Sequence, residues 1–92
     1  MSDFIEIPIE NIIAESQTTK PGFCNTKYVV YFDASNPKNK VRVNTHYCAN
    51  GNTMSLCKYY DRGLCNTVEE YKTLDISYVE SQAYGAWMDG AH

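Results

Sequence analysis

The chain reads as a small α+β domain built on an antiparallel sheet, and three observations predict it. Residues 28–32 are Tyr-Val-Val-Tyr-Phe, a run of β-branched and aromatic side chains that suits a pleated, half-buried surface. Residues 41–48 alternate with period two and are followed by Asn50-Gly51, the strongest short hairpin signal, because a type I′ turn needs positive φ at both central residues. Thr67-Val68-Glu69-Glu70 fits a capping box and so marks a helix start beyond the sheet. The expected architecture is a single domain over residues 1–92: an antiparallel three- to four-stranded meander flanked by a short N-terminal helix and a C-terminal helical segment.

In chain order, residues 4–7 read as a short strand, and Pro8 at a first helical position opens a predicted helix over residues 9–15. Ile9, Ile12 and Ile13 fall at i, i+3 and i+4, one apolar face too short to stand without docking on the sheet. Residues 16–22 are polar with a Pro-Gly turn and read as a connector. The first sheet strand is 28–32, and Asp33 to Pro37 form the turn after it. In the second strand Val41, Val43, Thr45 and Tyr47 share the face expected to be buried, while Arg42, Asn44, His46 and Cys48 share the other. A hairpin centred on Asn50-Gly51 pairs Tyr47 with Met54 and Thr45 with Leu56, and runs the third strand over residues 53–60. Asp61-Arg62-Gly63 reads as a turn. Beyond Thr67 the pattern is ambiguous: Val68, Tyr71 and Leu74 keep helical spacing, yet Leu74, Ile76 and Tyr78 alternate as a fourth strand would. A break near Asp75 followed by a separate terminal helix is the other solution, since Ser77 and Glu80 form a second capping box.

At 92 residues the chain buries roughly 60–65% of its unfolded surface, enough for a modest core but leaving little room for a deep cleft. No stretch approaches the ~18 apolar residues of a membrane span, and the opening lacks the basic and apolar regions of a secretory leader. The expected setting is therefore cytoplasmic, away from membranes. Cys24, Cys48, Cys57 and Cys65 contain no close pair of the kind that aims two ligands at one metal. Reduced cysteines acting as small hydrophobes are the expectation; disulfides, or a partial site of Cys48, Cys57 and His46, are the alternatives. No cofactor is expected. Of two histidines one is terminal, the five glycines are scattered, and nothing sets a nucleophile beside a base, so the chain is read as a non-enzyme without a small-molecule substrate.

Charge is more informative than any motif. Residues 1–19 carry a net −4, residues 20–62 a net +5 and residues 63–92 a net −4. Lys38, Lys40 and Arg42 cluster in and after one loop, with Lys58 and Arg62 further along; Glu69 and Glu70 open the acidic C-terminal part. A solvated surface with internally paired signs explains this plainly. The sharper expectation is a two-signed binding surface, with Lys38, Lys40, Arg42, Lys58 and Arg62 meeting phosphates and Glu69 and Glu70 meeting a basic protein, as a ribonucleoprotein would require. On that expectation, changing Lys38, Lys40 and Arg42 together to Glu leaves the fold intact and weakens binding. Tyr59, Tyr60, Tyr84 and Trp87 add aromatic area of the kind favoured at interfaces.

The opening MSDFIEIPIENIIAESQ, the length, the acidic balance and the lack of an enzyme motif together resemble the small phage-encoded anti-CRISPR inhibitors. That resemblance is one of general type and carries no residue-by-residue match. It implies a non-catalytic protein in the cytoplasm of an infected bacterium that binds a host Cas protein–guide RNA surveillance complex, through protein and RNA backbone, and blocks target DNA recognition. The alternatives are a small structural or accessory interaction protein, metal-stabilised through Cys and His, and a secreted disulfide-bonded effector.

Overall fold

The computed structural model describes residues 4–16, 26–34, 38, 40–50, 53–57 and 61–90. It contains β1 (Phe4–Pro8), a single 3₁₀ turn (Ile9–Asn11), β2 (Ile12–Glu15), β3 (Thr26–Phe32), β4 (Val41–Asn50), β5 (Thr53–Cys57), β6 (Asp61–Cys65), α1 (Val68–Tyr71) and α2 (Ile76–Gly90). The expected α+β class with an antiparallel sheet and a C-terminal helix is what forms. The sheet is larger than the sequence suggests: all pairings are antiparallel, in the order β1-β5-β4-β3-β2, with β6 also paired to β4.

β4 is the axis. Its first half pairs with β3 through Val30↔Val43 and Phe32↔Val41, and with β6 through Asn44↔Asp61 and Val43↔Arg62. Its far end pairs with β5 through Ala49↔Met54 and Asn50↔Thr53. The hairpin register thus differs by two residues from the one predicted, because Gly51 and Asn52, not Asn50 and Gly51, separate the last paired residues. Of the predicted third strand, β5 forms residues 53–57 and residues 58–60 lie outside the described ones, while Asp61-Arg62-Gly63, expected as a turn, begins β6.

The predicted helix over residues 9–15 does not form. Pro8 has an extended backbone, one 3₁₀ turn follows, and Ile12 begins a strand against Tyr31. The reason lies in the packing of Ile12 and Ile13. Ile12 packs with Val29 and Tyr31, whereas Ile13 joins the cluster of Tyr28, Val30, Val41 and Val43. Neighbours that serve opposite faces are what a strand supplies, and the register shift between Ile12 and Ala14 accommodates the extra residue. Ser16 prolongs the edge by exchanging hydrogen bonds with the Tyr28 backbone, its amide donating to the carbonyl at 3.1 Å and its hydroxyl accepting from the amide at 3.1 Å.

β1 and β2 lie at opposite ends of the strand order, yet only Ile9–Asn11 separate them. A flat sheet would hold them ~19 Å apart across four inter-strand gaps, while Pro8 to Ile12 spans at most ~14 Å of extended chain. The sheet therefore curls until its edges approach. Ile7 of β1 accordingly packs against Val29 and Tyr31 of β3, which is three strands away along the hydrogen-bonded order.

The outer face of the curl is covered by helix. Thr67 caps α1, its hydroxyl accepting from the Glu70 amide at 3.0 Å, while a Glu70 carboxylate oxygen accepts from the Asn66 amide at 3.0 Å. This is the reciprocal capping expected of Thr67 and Glu70, reaching one residue further back than the usual box. The chain breaks after Tyr71, and α2 starts past Asp75, whose carbonyl accepts from the Val79 amide. The helical solution for residues 76–79 therefore wins over a fourth strand. α2 lies on β4 and β6, burying Val79, Ala83 and Ala86, and Val79 and Ala83 complete the cluster of Tyr28, Val30, Val41 and Val43. No helix is long and apolar enough to cross a membrane among the described residues.

Both faces of β4 are buried in its first half, which the alternation did not foresee. Val41, Val43 and Thr45 are buried as expected, Val41 and Val43 against α2, but Asn44 is also fully buried on the inner face. There the Asp61 carboxylate gathers three donors: the Tyr31 hydroxyl at 2.9 Å, Arg42 Nε at 2.6 Å and Asn44 Nδ2 at 3.4 Å. Asp33 stands 3.9 Å from the same Arg42 nitrogen. Burial first, then the charge and hydrogen bond of Asp61, push the Tyr31 phenol well above its ordinary value. Because the raised group is neutral when protonated, its contribution to stability is complete below pH ~10, where an unfolded tyrosine keeps its proton, and declines above that. Stability is expected to fall by up to ~1.4 kcal/mol per pH unit from Tyr31 alone as pH rises past 10. Urea midpoints between pH 9 and about 11.5 measure this, and Tyr31→Phe should flatten the alkaline slope by that amount. An unchanged slope in the variant would mean that another group governs the alkaline limb.

Candidate protein-docking surface

The face of α2 turned away from the sheet carries the surface most unlike a solvated helix. Ile76, Glu80, Tyr84 and Met88 follow one another at i+4, and Trp87 lies three residues beyond Tyr84, so all five share one side of the helix. Ile76 and Tyr84 are 66% and 63% exposed, and Trp87 and Met88 are each 37% exposed. The Tyr84 and Trp87 rings touch, with centroids 6.1 Å apart and planes inclined by 32°. Single exposed apolar residues are commonplace, but a contiguous aromatic and aliphatic stripe is the signature of a surface that meets something.

The charge on α2 itself is of one sign. α2 contains Glu80 and Asp89 and no Lys or Arg, and exposed Glu69, Glu70 and Asp75 precede it together with one exposed base, Lys72. One base is engaged by the helix: Arg62, on β6, donates to Gln82 Oε1 at 3.2 Å and to the Asp89 carboxylate. Gly85 makes room for it, since a Cβ there would sit 2.6 Å from Arg62 Nη1. A glycine in mid-helix costs about 1 kcal/mol relative to alanine, and its presence here is explained by the guanidinium lying across the helix.

Of the basic residues singled out in the sequence, those that are described do not converge on one surface. Arg42 is turned inward against Asp61; burial pulls its guanidinium down, but the Asp61 hydrogen bond and charge outweigh that and leave it above its ordinary value. Arg62 is held by α2. Lys58 lies outside the described residues, as do Cys24, Tyr59, Tyr60 and the Asn50-Gly51 turn itself beyond Asn50. Lys38 and Lys40 are exposed in the β3–β4 connection, which closes where the Asp33 amide donates to the Lys40 carbonyl. Changing Arg42 to Glu with them would set a second carboxylate against Asp61, so the triple change would not leave the fold intact as the sequence suggested. Glu69 and Glu70 sit at the start of α1, where Glu70 is committed to capping.

Among the described residues no group of three or more Cys, His, Asp or Glu could hold a metal. Cys65 carries a free thiol that donates to the Thr67 carbonyl at 3.2 Å, and burial pushes its pKa up. Sequence reasoning marked Tyr84 and Trp87 as interface aromatics but gave Glu80 only a capping role. The i, i+4, i+7 spacing of Glu80, Tyr84 and Trp87 was the available signal, and it needed the helix assignment of residues 76–90 to become readable. No family model matches the chain, and neither curated proteins nor solved structures give a match.

Proposed function

We propose that this chain is a non-catalytic binding protein that works by covering a basic surface of a macromolecular partner with the acidic, aromatic side of α2. The observation that carries the reading is the exposed stripe of Ile76, Tyr84, Trp87 and Met88 on a helix whose charged residues are all acidic. Such a face offers apolar area for affinity and negative potential for steering, the combination that recruits a partner evolved to hold nucleic acid. In line with the resemblance drawn from the sequence, the proposed target is a bacterial Cas protein–guide RNA complex, with α2 occupying protein surface on the path of target DNA. The emphasis moves from the basic loop to the acidic helix, because Arg42 and Arg62 are engaged within the fold.

The test is retention of defined Cas–guide RNA complexes on the immobilised chain, with and without ribonuclease. Retention that survives ribonuclease, together with loss of target DNA binding by the retained complex, is the expected result. Complexes that all pass through unretained would remove this target.

A further inference from the structure

The docking reading leaves open what chemistry on the partner the stripe recognises, and Glu80, Tyr84 and Trp87 answer it. A purely apolar stripe would favour a leucine-rich partner, but this one has a carboxylate set one turn before Tyr84 and two turns before Trp87, on the same side of the helix. Glu80 is exposed, and α2 carries no Lys or Arg to neutralise it. The two ring centroids are 6.1 Å apart, so the rings form one π-surface on the side of the helix that carries Glu80, whose charge also reaches the Tyr28 phenol. Aromatic faces attract cations, and a planar guanidinium can stack on a ring while its N–H groups reach a neighbouring carboxylate. An ammonium is a compact, strongly hydrated charge and gains less from the ring faces.

Resting on the docking reading above, we propose that Glu80, Tyr84 and Trp87 form a receptor for an arginine side chain of a basic protein segment, with Ile76 and Met88 taking up apolar residues that flank it. A second copy of this chain is the less suitable occupant. A symmetric contact through α2 would bring Glu80 against Glu80 or Asp75 with no basic residue of either helix between them.

The chain has one tryptophan, so Trp87 reports directly on the site. The full chain is titrated with a short peptide alternating arginine and leucine, and with matched peptides carrying lysine or glutamine in place of each arginine. The arginine peptide is expected to change Trp87 emission saturably and to bind more tightly than the lysine peptide, with the glutamine peptide silent. Tyr84→Ala should weaken the arginine peptide roughly 5- to 30-fold. Glu80→Gln should weaken it several-fold, about 3-fold or more at low salt, with the difference shrinking as salt rises. Glu10→Gln removes one carboxylate from the 3₁₀ turn, outside α2, and should change nothing. Trp87→Ala, followed by calorimetry, should lose at least as much as Tyr84→Ala. The proposal is overturned if the glutamine peptide binds equally, if Glu80→Gln and Glu10→Gln weaken binding alike, or if Tyr84→Ala leaves it unchanged while the helix signal is intact. The titration uses purified chain, so its result is separate from retention of a Cas complex. A retained complex that ignores Tyr84→Ala and Trp87→Ala would sink the arginine receptor and leave the docking reading standing.

Discussion

Replacing Asp61 by Ala is expected to lower stability by about 3 kcal/mol, enough to bring the urea midpoint of a domain this size down by one molar or more. The carboxylate holds Arg42 at 2.6 Å, the Tyr31 hydroxyl at 2.9 Å and the Asn44 amide at 3.4 Å, and the Arg42 and Asp61 side chains are only 18% and 10% exposed. Removing it strands a largely buried guanidinium and the buried Tyr31 hydroxyl and takes one partner from Asn44, and unmet buried donors cost more than the bonds contribute when made. Asp33, 3.9 Å from the same nitrogen, recovers part of the charge interaction and keeps the loss at the lower end of the range for broken buried pairs. Asp61→Asn should cost less, because an amide oxygen can still accept from Tyr31. The paired change Asp61→Leu with Arg42→Met, which removes both charges, should recover most of the loss. An Asp61→Ala midpoint within experimental error of the parent would show that the cluster does not hold the inner face together.

A larger loss is expected from Ala83→Asp. Ala83 is 4% exposed at the centre of the contact between α2 and the sheet, packed in the cluster of Val30, Val41, Val43 and Val79. A carboxylate there would be buried with no cation among its described neighbours in that cluster, a cost on the order of 4–5 kcal/mol or loss of the helix from the sheet. That is close to the whole stability of a small domain, roughly 5–9 kcal/mol. Tyr84→Asp, one residue further along the same helix and about 100° round it, should change stability by less than about 1 kcal/mol, since Tyr84 is mostly solvent-exposed. Helical circular dichroism and urea unfolding of the two variants measure the contrast. Equal effects would mean that α2 does not pack on β4 and β6 through Ala83.

The parts of this fold that were legible in the sequence are those where local chemistry and tertiary context agree. The run at residues 28–32 and the alternation from Val41 announce β3 and β4, and the Thr67 capping box starts α1 where expected. The failures have one cause, which is pairing over long sequence distances. Ile9, Ile12 and Ile13 imitate a helical face, but a bulged edge strand between two clusters uses the same residues differently. Asp61-Arg62-Gly63 has turn composition, yet Asp61 is drawn inward by Arg42 and Tyr31, and Arg62 is drawn across α2 by Gln82 and Asp89. The same long-range pairs explain the candidate surface. The positive charge counted in the sequence is real, but two of its members are engaged across 19 and 27 positions, which no local window reveals. Once they are set aside, the exposed bases among the described residues are Lys38, Lys40 and Lys72, and none of them lies on the acidic helix.

The short link from Pro8 to Ile12 also sets an order of events. Phe4 cannot find its partner until Cys57 exists, nor Pro8 until Thr53 does, whereas Ile12 needs only Tyr31. During synthesis the β2–β3–β4 ribbon can therefore assemble while Phe4, Ile5 and Ile7 wait in the open, and the curl shuts only after the β4–β5 hairpin is complete. A topology dominated by such distant contacts belongs among the slow folders, in the millisecond-to-second range, and its unfinished form presents an unpaired apolar strand. The clasp that joins the two edges of the mature sheet is, for the growing chain, a piece that closes late and stands exposed to a wrong partner until it does.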